Sequence, residues 1–344
     1  MIRRTLLAAL MLTLCACGAR GARDPFTDSR IPPSLGPAFW PPPGWAWGLI
    51  QAAGAPAQRY GVAAPADEPP LAQALMLPGY GGLAEADFQT AGGLIERRIQ
   101  VWTLDGVGQG GSGRIALPRD LGHVDSFDAD VAGLDQMVAA VIRPTPGAPL
   151  VAIAAGTAAP VLLRALQTGH GGIAAVVLTA PRLSTPGHRT PARPRTPQAA
   201  QWARRLGLGR RRAPGQGGWR RDAPEAPVGS PAFVRHAWQL ANPDLRMGGP
   251  SLGWQAAFDD LLASLRADGW GRVRAPVLVL ADPAAPAAER QAQAAFCRAL
   301  PHCAFVLAAP DQWPQREAGY IETLVAAAAN PLETRALPIA RHGR

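Results

Sequence analysis

From residue 74 to residue 307 the chain alternates short, wholly apolar runs with segments of helical spacing, and few folds accommodate that pattern. Ala74–Leu77, Ile99–Leu104, Leu150–Ala154, Ala174–Leu178, Pro276–Leu280 and Ala304–Leu307 are the strand-like runs. Between them, 84–97 and 157–167 have helical character, and Phe127, Val131, Leu134, Val138 and Val141 recur at helical spacing. A strand that is apolar on consecutive residues must be buried on both faces. The pattern therefore predicts an α/β fold, a mostly parallel, doubly wound sheet with helices on both sides. Two further short strands, Trp45–Gln51 and Arg59–Ala63, precede it, separated by a Gly/Pro/Ala turn.

The alternation breaks over 182–269. Arg182–Arg221 holds eleven arginines and no acidic residue, and Pro231–Leu265 is helical around the turn NPDLRMGGPSLGW. An insertion here covers the carboxyl edge of the strands, where doubly wound sheets bind ligands, so 182–269 is expected to be a cap. The core then comprises 44–181 and 270–335. Residues 18–43, Pro/Gly-rich and ending at Pro41-Pro42-Pro43, are expected to be a tether, and 336–344 a tail.

Residues 1–17 have a positive start (Arg3, Arg4) and a short apolar stretch, Leu6–Leu14, too short to anchor in a bilayer. They are expected to be a signal peptide. Leu14-Cys15-Ala16-Cys17 is similar to a bacterial lipobox, which would make Cys17 the lipid-anchored first residue of the mature chain. The alternative is an ordinary secretory signal cleaved nearby. Lipidation places the chain in the cell envelope, and Gly18 in place of Asp points to the outer membrane, facing the periplasm. Cys297 and Cys303 are then the pair available for a disulfide, although two buried thiols would read the same way. The net charge is +9, carried by arginine with no lysine. GC-rich codon usage explains that bias, and attraction to anionic headgroups is the functional alternative. An envelope address argues against nucleic acid as the partner.

The segments LPGYGG (77–82), LDGVGQGGSGR (104–114), HVDSFDADVAGLD (123–135) and NPDLRMGGPSLGW (242–254) resemble the lysophospholipase L2 group of α/β-hydrolases, akin to monoacylglycerol lipases and serine aminopeptidases. The resemblance runs from about Trp45 to Leu332 and implies an α/β-hydrolase fold that needs no cofactor or metal. It also implies a serine on a strand–turn–helix elbow, an acid near the end of the penultimate strand and a histidine after the last one. Each expected position holds something else. The elbow serine falls on Gly156 in Ala154-Ala155-Gly156-Thr157-Ala158, the aspartate on Ala285, and the histidine on Trp313, with Gln312 the alternative register. Thr157 and Asp282 are weak substitutes for nucleophile and acid; Asp282 fits a turn or helix start better. The backbone N–H groups of Tyr80 and Thr157 are the expected oxyanion donors, set by turns and independent of the missing side chains.

Three losses at three expected places predict a pseudohydrolase that keeps an acyl or lipid pocket beneath its cap. An esterase or lysophospholipase using other residues, and a scaffold lipoprotein that uses the fold as an interaction surface, are the alternatives. An open pocket beside Gly156 favours binding, and one filled by Trp313 favours the scaffold.

Overall fold

A computed structural model describes residues 23–144, 147–169, 171–183, 197–222 and 226–329. The expected signal peptide, Cys17, the start of the expected tether, part of the arginine-rich stretch and the expected tail lie outside the described residues.

All eight expected strands form. They are β1 (Ala46–Ile50), β2 (Gln58–Ala63), β3 (Ala72–Leu77), β4 (Ile99–Leu104), β5 (Leu150–Ala155), β6 (Ile173–Thr179), β7 (Val277–Ala281) and β8 (Cys303–Leu307). They make one sheet in the order β1-β2-β4-β3-β5-β6-β7-β8. β2 runs antiparallel to β1 and β4, and every other pairing is parallel. The chain is thus an α/β-hydrolase fold.

The helices are α1 (Phe88–Ile95), α2 (Asp128–Gln136, prolonged by a π turn Met137–Ile142), α3 (Ala158–Gln167), α4 (Pro197–Arg205), α5 (Pro231–Ala241), α6 (Leu252–Asp268), α7 (Ala287–Ala299) and α8 (Trp313–Ala329). Successive strand residues point to opposite faces. Leu75 and Leu77 of β3 pack with Leu134, Leu162 and Phe258 on one face, while Ala74 and Met76 pack with Leu94 and Ile321 on the other.

Two expected boundaries move. The tether is no tether from residue 23 on: Leu35 is buried beside Phe88 and Trp238, and Phe26 and Phe39 pack on the same cluster. Arg23 pairs with Arg114 in a β-bridge, and its guanidinium donates to the carbonyls of Gly110 and Ser112. Aromatic residues among the prolines supply the burial that Pro/Gly content alone conceals. The cap is also smaller than 182–269. Trp254, Phe258, Leu261 and Leu265 place α6 in the main core against α3, leaving α4 and α5 as cap helices. Cys297, near the end of α7, and Cys303, opening β8, are bridged by a disulfide.

A buried ion cluster ties the first strands to the loops above them. Arg59 of β2 donates to both carboxylate oxygens of Glu85 at 2.7 and 2.8 Å, and through Nε and Nη2 to Asp105 at 2.8 and 2.6 Å. Its guanidinium lies 4.0 Å from the Trp47 ring centroid. Asp105 also accepts the backbone N–H groups of Ala84 and Gly111. Removing one partner of a buried ion cluster leaves charge unpaired, so Arg59→Met should destabilise the protein by roughly 3–5 kcal/mol. Chemical denaturation should recover much of that loss when Glu85→Gln and Asp105→Asn are added. A single-variant loss below about 1 kcal/mol would show that the cluster is not a structural tie.

Candidate functional site

The turn after β5 is built as a nucleophile elbow. Gly156 sits at φ +51°, and α3 begins two residues later. A sharp strand-to-helix turn forces this left-handed geometry, and glycine adopts it without steric cost. A Cβ built on Gly156 would meet nothing within 4 Å, so the place of the missing side chain is open. The preceding loop is pressed close: a Cβ on Gly79 would lie 2.7 Å from the Ala155 carbonyl oxygen.

The elbow opens into a cavity of about 620 Å³ under the cap. Its walls come from the loop after β3, α1, the elbow, α5, the start of α6 and the start of α8. Trp313 is one wall and does not fill the space. Its indole N–H donates to the Ala308 carbonyl at 2.9 Å, which holds the ring at the head of α8. Gln312 is exposed and does not line the cavity, so of the two residues Trp313 is the one that faces it. Ala285 lies outside the cavity lining, in a turn where Asp282 Oδ1 accepts the Ala284 N–H at 2.8 Å. Asp282 thus acts as a turn residue, and the structure does not bring it to Gly156.

The oxyanion expectation is corrected. The Tyr80 N–H donates to the Thr157 hydroxyl at 2.7 Å, so this donor is already taken by a protein side chain. The two groups do lie together, as the family pattern requires, but they answer each other. Thr157 is buried and serves as an acceptor at the elbow.

Among the described residues no serine, cysteine or histidine lines the cavity. Elsewhere among the described residues, Ser251 Oγ meets His123 Nδ1 at 2.7 Å, and His123 Nε2 faces Asp125 at 3.3 Å. This trio has the composition of a triad without its setting. Ser251 is fully buried, caps α6 by accepting the Trp254 N–H, and does not line the cavity beside Gly156. Burial also holds His123 below the usual imidazole range. Ser112 is likewise buried against Asp105. No cluster of three or more His, Cys, Asp or Glu among the described residues could hold a metal, and none of their helices is long and apolar enough to cross a membrane.

The ionisable groups of the cavity were not evident in the sequence. Asp87 and Glu317 both line it, as do Glu289, Arg182 and Arg235. Glu317 is 5% exposed and makes no hydrogen bond or ion pair with a described residue. Burial, followed by the charge of Asp87, pushes its carboxyl up to about 8. Burial first, then Asp105, pushes Asp87 up to about 7, against the pull of Arg235. Glu317 follows Trp313 by one helical turn, and that spacing was the available signal. A search for a lost histidine ends at Trp313 and passes over it.

Residues 68–313 match the family described as serine aminopeptidase, S33. No curated protein sequence matches the chain. Similar solved structures include a soluble variant of monoglyceride lipase from Saccharomyces cerevisiae in complex with a substrate analogue, 15% identical with a TM-score of 0.61, covering 82% of this chain and 94% of that one. A monoacylglycerol lipase from Paleococcus ferrophilus is 16% identical with a TM-score of 0.57, over 81% of this chain and 99% of the other. A thermostable carboxyl esterase from Bacillus coagulans in complex with glycerol is 13% identical with a TM-score of 0.61, over 83% and 99%. At such identities the likeness establishes the fold.

The raised carboxyls fix a sign for stability against pH. A carboxyl that titrates near 4.5 in the unfolded chain and near 8 when folded keeps more protons in the native state between those values, so stability falls as pH rises through that window. The decline between about pH 5 and about pH 8 should be shallower in Glu317→Gln than in the wild type, read by thermal unfolding in matched buffers. Parallel pH profiles would remove Glu317 as the cause.

Proposed function

We propose that this chain, which belongs to the serine aminopeptidase, S33 family, is a non-catalytic α/β-hydrolase that holds an acyl or other apolar-chained ligand in the cavity beside its elbow. One observation carries this reading: the elbow residue is Gly156, and among the described residues no serine, cysteine or histidine lines the cavity it opens into. Acyl transfer through a covalent intermediate needs a nucleophile and a base that accepts and returns its proton. The hydroxyls present belong to Tyr80, Thr90, Thr157 and Thr179. That of Thr157 accepts from a backbone amide, and burial holds the Tyr80 phenol well above its ordinary range. Loss of a working triad removes roughly 10⁶ in rate.

In this proposal the cavity keeps its size and its largely apolar walls, which suits retention of a chain and not its cleavage. Cys17 carries the lipid anchor, and the body works at the envelope membrane. Membrane contact through the arginine-rich half of the cap is part of the same reading. Arg205, Arg210 and Arg211 are exposed, and so are Trp202 and Leu206 beside them, at 60% and 70%. Arginine with an aromatic and an aliphatic side chain is a surface suited to anionic headgroups. Arg182, Arg204 and Arg212 are different, being paired with Glu289, Asp260 and Asp120 from outside the segment. Those pairings allow a stretch of like charge to fold.

A fluorophosphonate probe should not label the purified protein, and a panel of short- and long-chain esters should show no turnover above a heat-denatured control. Gly156→Ser should fold, with a loss of roughly 1–2 kcal/mol for a side chain in the left-handed region, and should remain inactive for want of a base. Robust hydrolysis by the wild type or by Gly156→Ser would sink the reading. The protein without its signal peptide and anchor should sediment with anionic vesicles at low salt, and Arg210→Ser with Arg211→Ser should weaken that sedimentation severalfold. Unchanged sedimentation would return the arginines to codon bias.

A further inference from the structure

We infer that the cavity selects ligands bearing an organic cation, an ammonium group on an apolar chain, with Glu317 and Asp87 as the seat of the charge. This rests on the proposal that the cavity is a binding site and adds the chemical class of what it binds.

Glu317 is the starting point. It is a carboxyl side chain more than nine-tenths buried, without a hydrogen-bond or ion-pair partner among the described residues, and it lines the cavity. Burying a carboxylate without a partner is costly, and native structures pair such groups or leave them protonated. No arginine offsets Glu317 as Arg235 offsets Asp87. Protonation is therefore its resting state in the empty cavity, and a ligand cation would supply the missing partner.

Charge balance over the cavity points the same way. Its wall carries three carboxyls, Asp87, Glu289 and Glu317, against two guanidiniums, Arg182 and Arg235. Arg182 lies 3.6 Å from Glu289 and is occupied by it. Once Glu317 is ionised, the described wall carries one more carboxylate than guanidinium, an excess that a ligand cation would balance. Trp313 stands one turn from Glu317 on the same helix and also lines the cavity, so an indole is at hand for a cation. The apolar remainder, including Leu77, Ile153 and Trp254, suits a hydrocarbon chain.

The charged groups around Glu317 come from each neighbouring element. Asp87 leads into α1, with Glu85 and Asp105 behind it; Arg235 is on α5, Arg182 follows β6, and Glu289 is on α7. On α8 itself the outward Glu322 pairs with Arg97, and Tyr320 stays a neutral phenol, raised by burial to about 12. Asp87 shares the neutral range with Glu317. Cation binding should therefore drive off a proton and strengthen as pH rises, by up to roughly tenfold per unit below the carboxyl's titration point.

The test uses chain-matched probes on the full protein: octylammonium, 1-octanol and octanoate, each below its micelle concentration, measured by calorimetry. Octylammonium should bind at least about tenfold more tightly than 1-octanol at about pH 9, lose that advantage at about pH 6, and release protons, seen as a heat that depends on the buffer. Glu317→Gln should abolish the preference and the pH dependence while leaving 1-octanol unchanged, and Asp87→Asn should reduce both in part. If 1-octanol or octanoate binds as well as octylammonium, the cavity is a chain-binding site and the cation inference fails while the proposed function stands. Retention of the preference in folded Glu317→Gln also overturns the inference. If no probe binds, both the inference and the binding function fall.

Discussion

One arginine settles how the first half of this protein can be arranged. Arg59 leaves the start of β2 and holds Glu85 and Asp105 together in a place water does not reach. Asp105 directly follows β4, and Glu85 stands in the 3₁₀ turn that leads into α1. Three segments far apart in sequence are thereby fixed above the sheet, with Trp47 stacked on the guanidinium. Each charge is costly to bury, and together they leave the chain one low-energy way to cross the top of β3 and β4. Gly79, Tyr80 and Asp87 inherit their positions from that crossing. The cavity therefore has a rigid near wall, although its residues lie in loops.

The sheet was legible because its strands are apolar on consecutive residues, and only burial on both faces explains such runs. Every strand from β1 to β8 falls within a residue or two of the run that announced it. The boundaries that moved did so for an equally physical reason. Proline and glycine content marks irregular backbone but not whether that backbone is packed, so Leu35 and Phe39 were missed as anchors of the N-terminal segment. The amphipathic pattern of α6 marks a buried stripe but not which neighbour covers it, so a core helix was grouped with the cap.

At the site, the elbow was readable from register alone, because a strand, a tight turn and a helix keep their spacing whatever residue stands at the turn. Gly156 and Trp313 do line one cavity, whereas Ala285 does not. Two features could not be read. The contact between Thr157 and Tyr80 depends on a rotamer, and the isolation of Glu317 depends on which residues fail to approach it. Sequence shows what is present near a position; the absence of a partner is a property of three dimensions.

The hydroxyl of Thr157 has one more implication. In a chain that had lost its nucleophile alone, the backbone donor at Tyr80 would still point into empty space, and a serine at 156 would restore part of the machinery in a single step. Here the donor has been given a permanent acceptor from the same turn. A serine arriving now would find neither base nor vacant donor, and displacing the threonine first would leave a buried amide unanswered. The contact ties the loop after β3 to the elbow after β5, so the amide of Tyr80 is answered from within the protein whatever occupies the rest of the cavity.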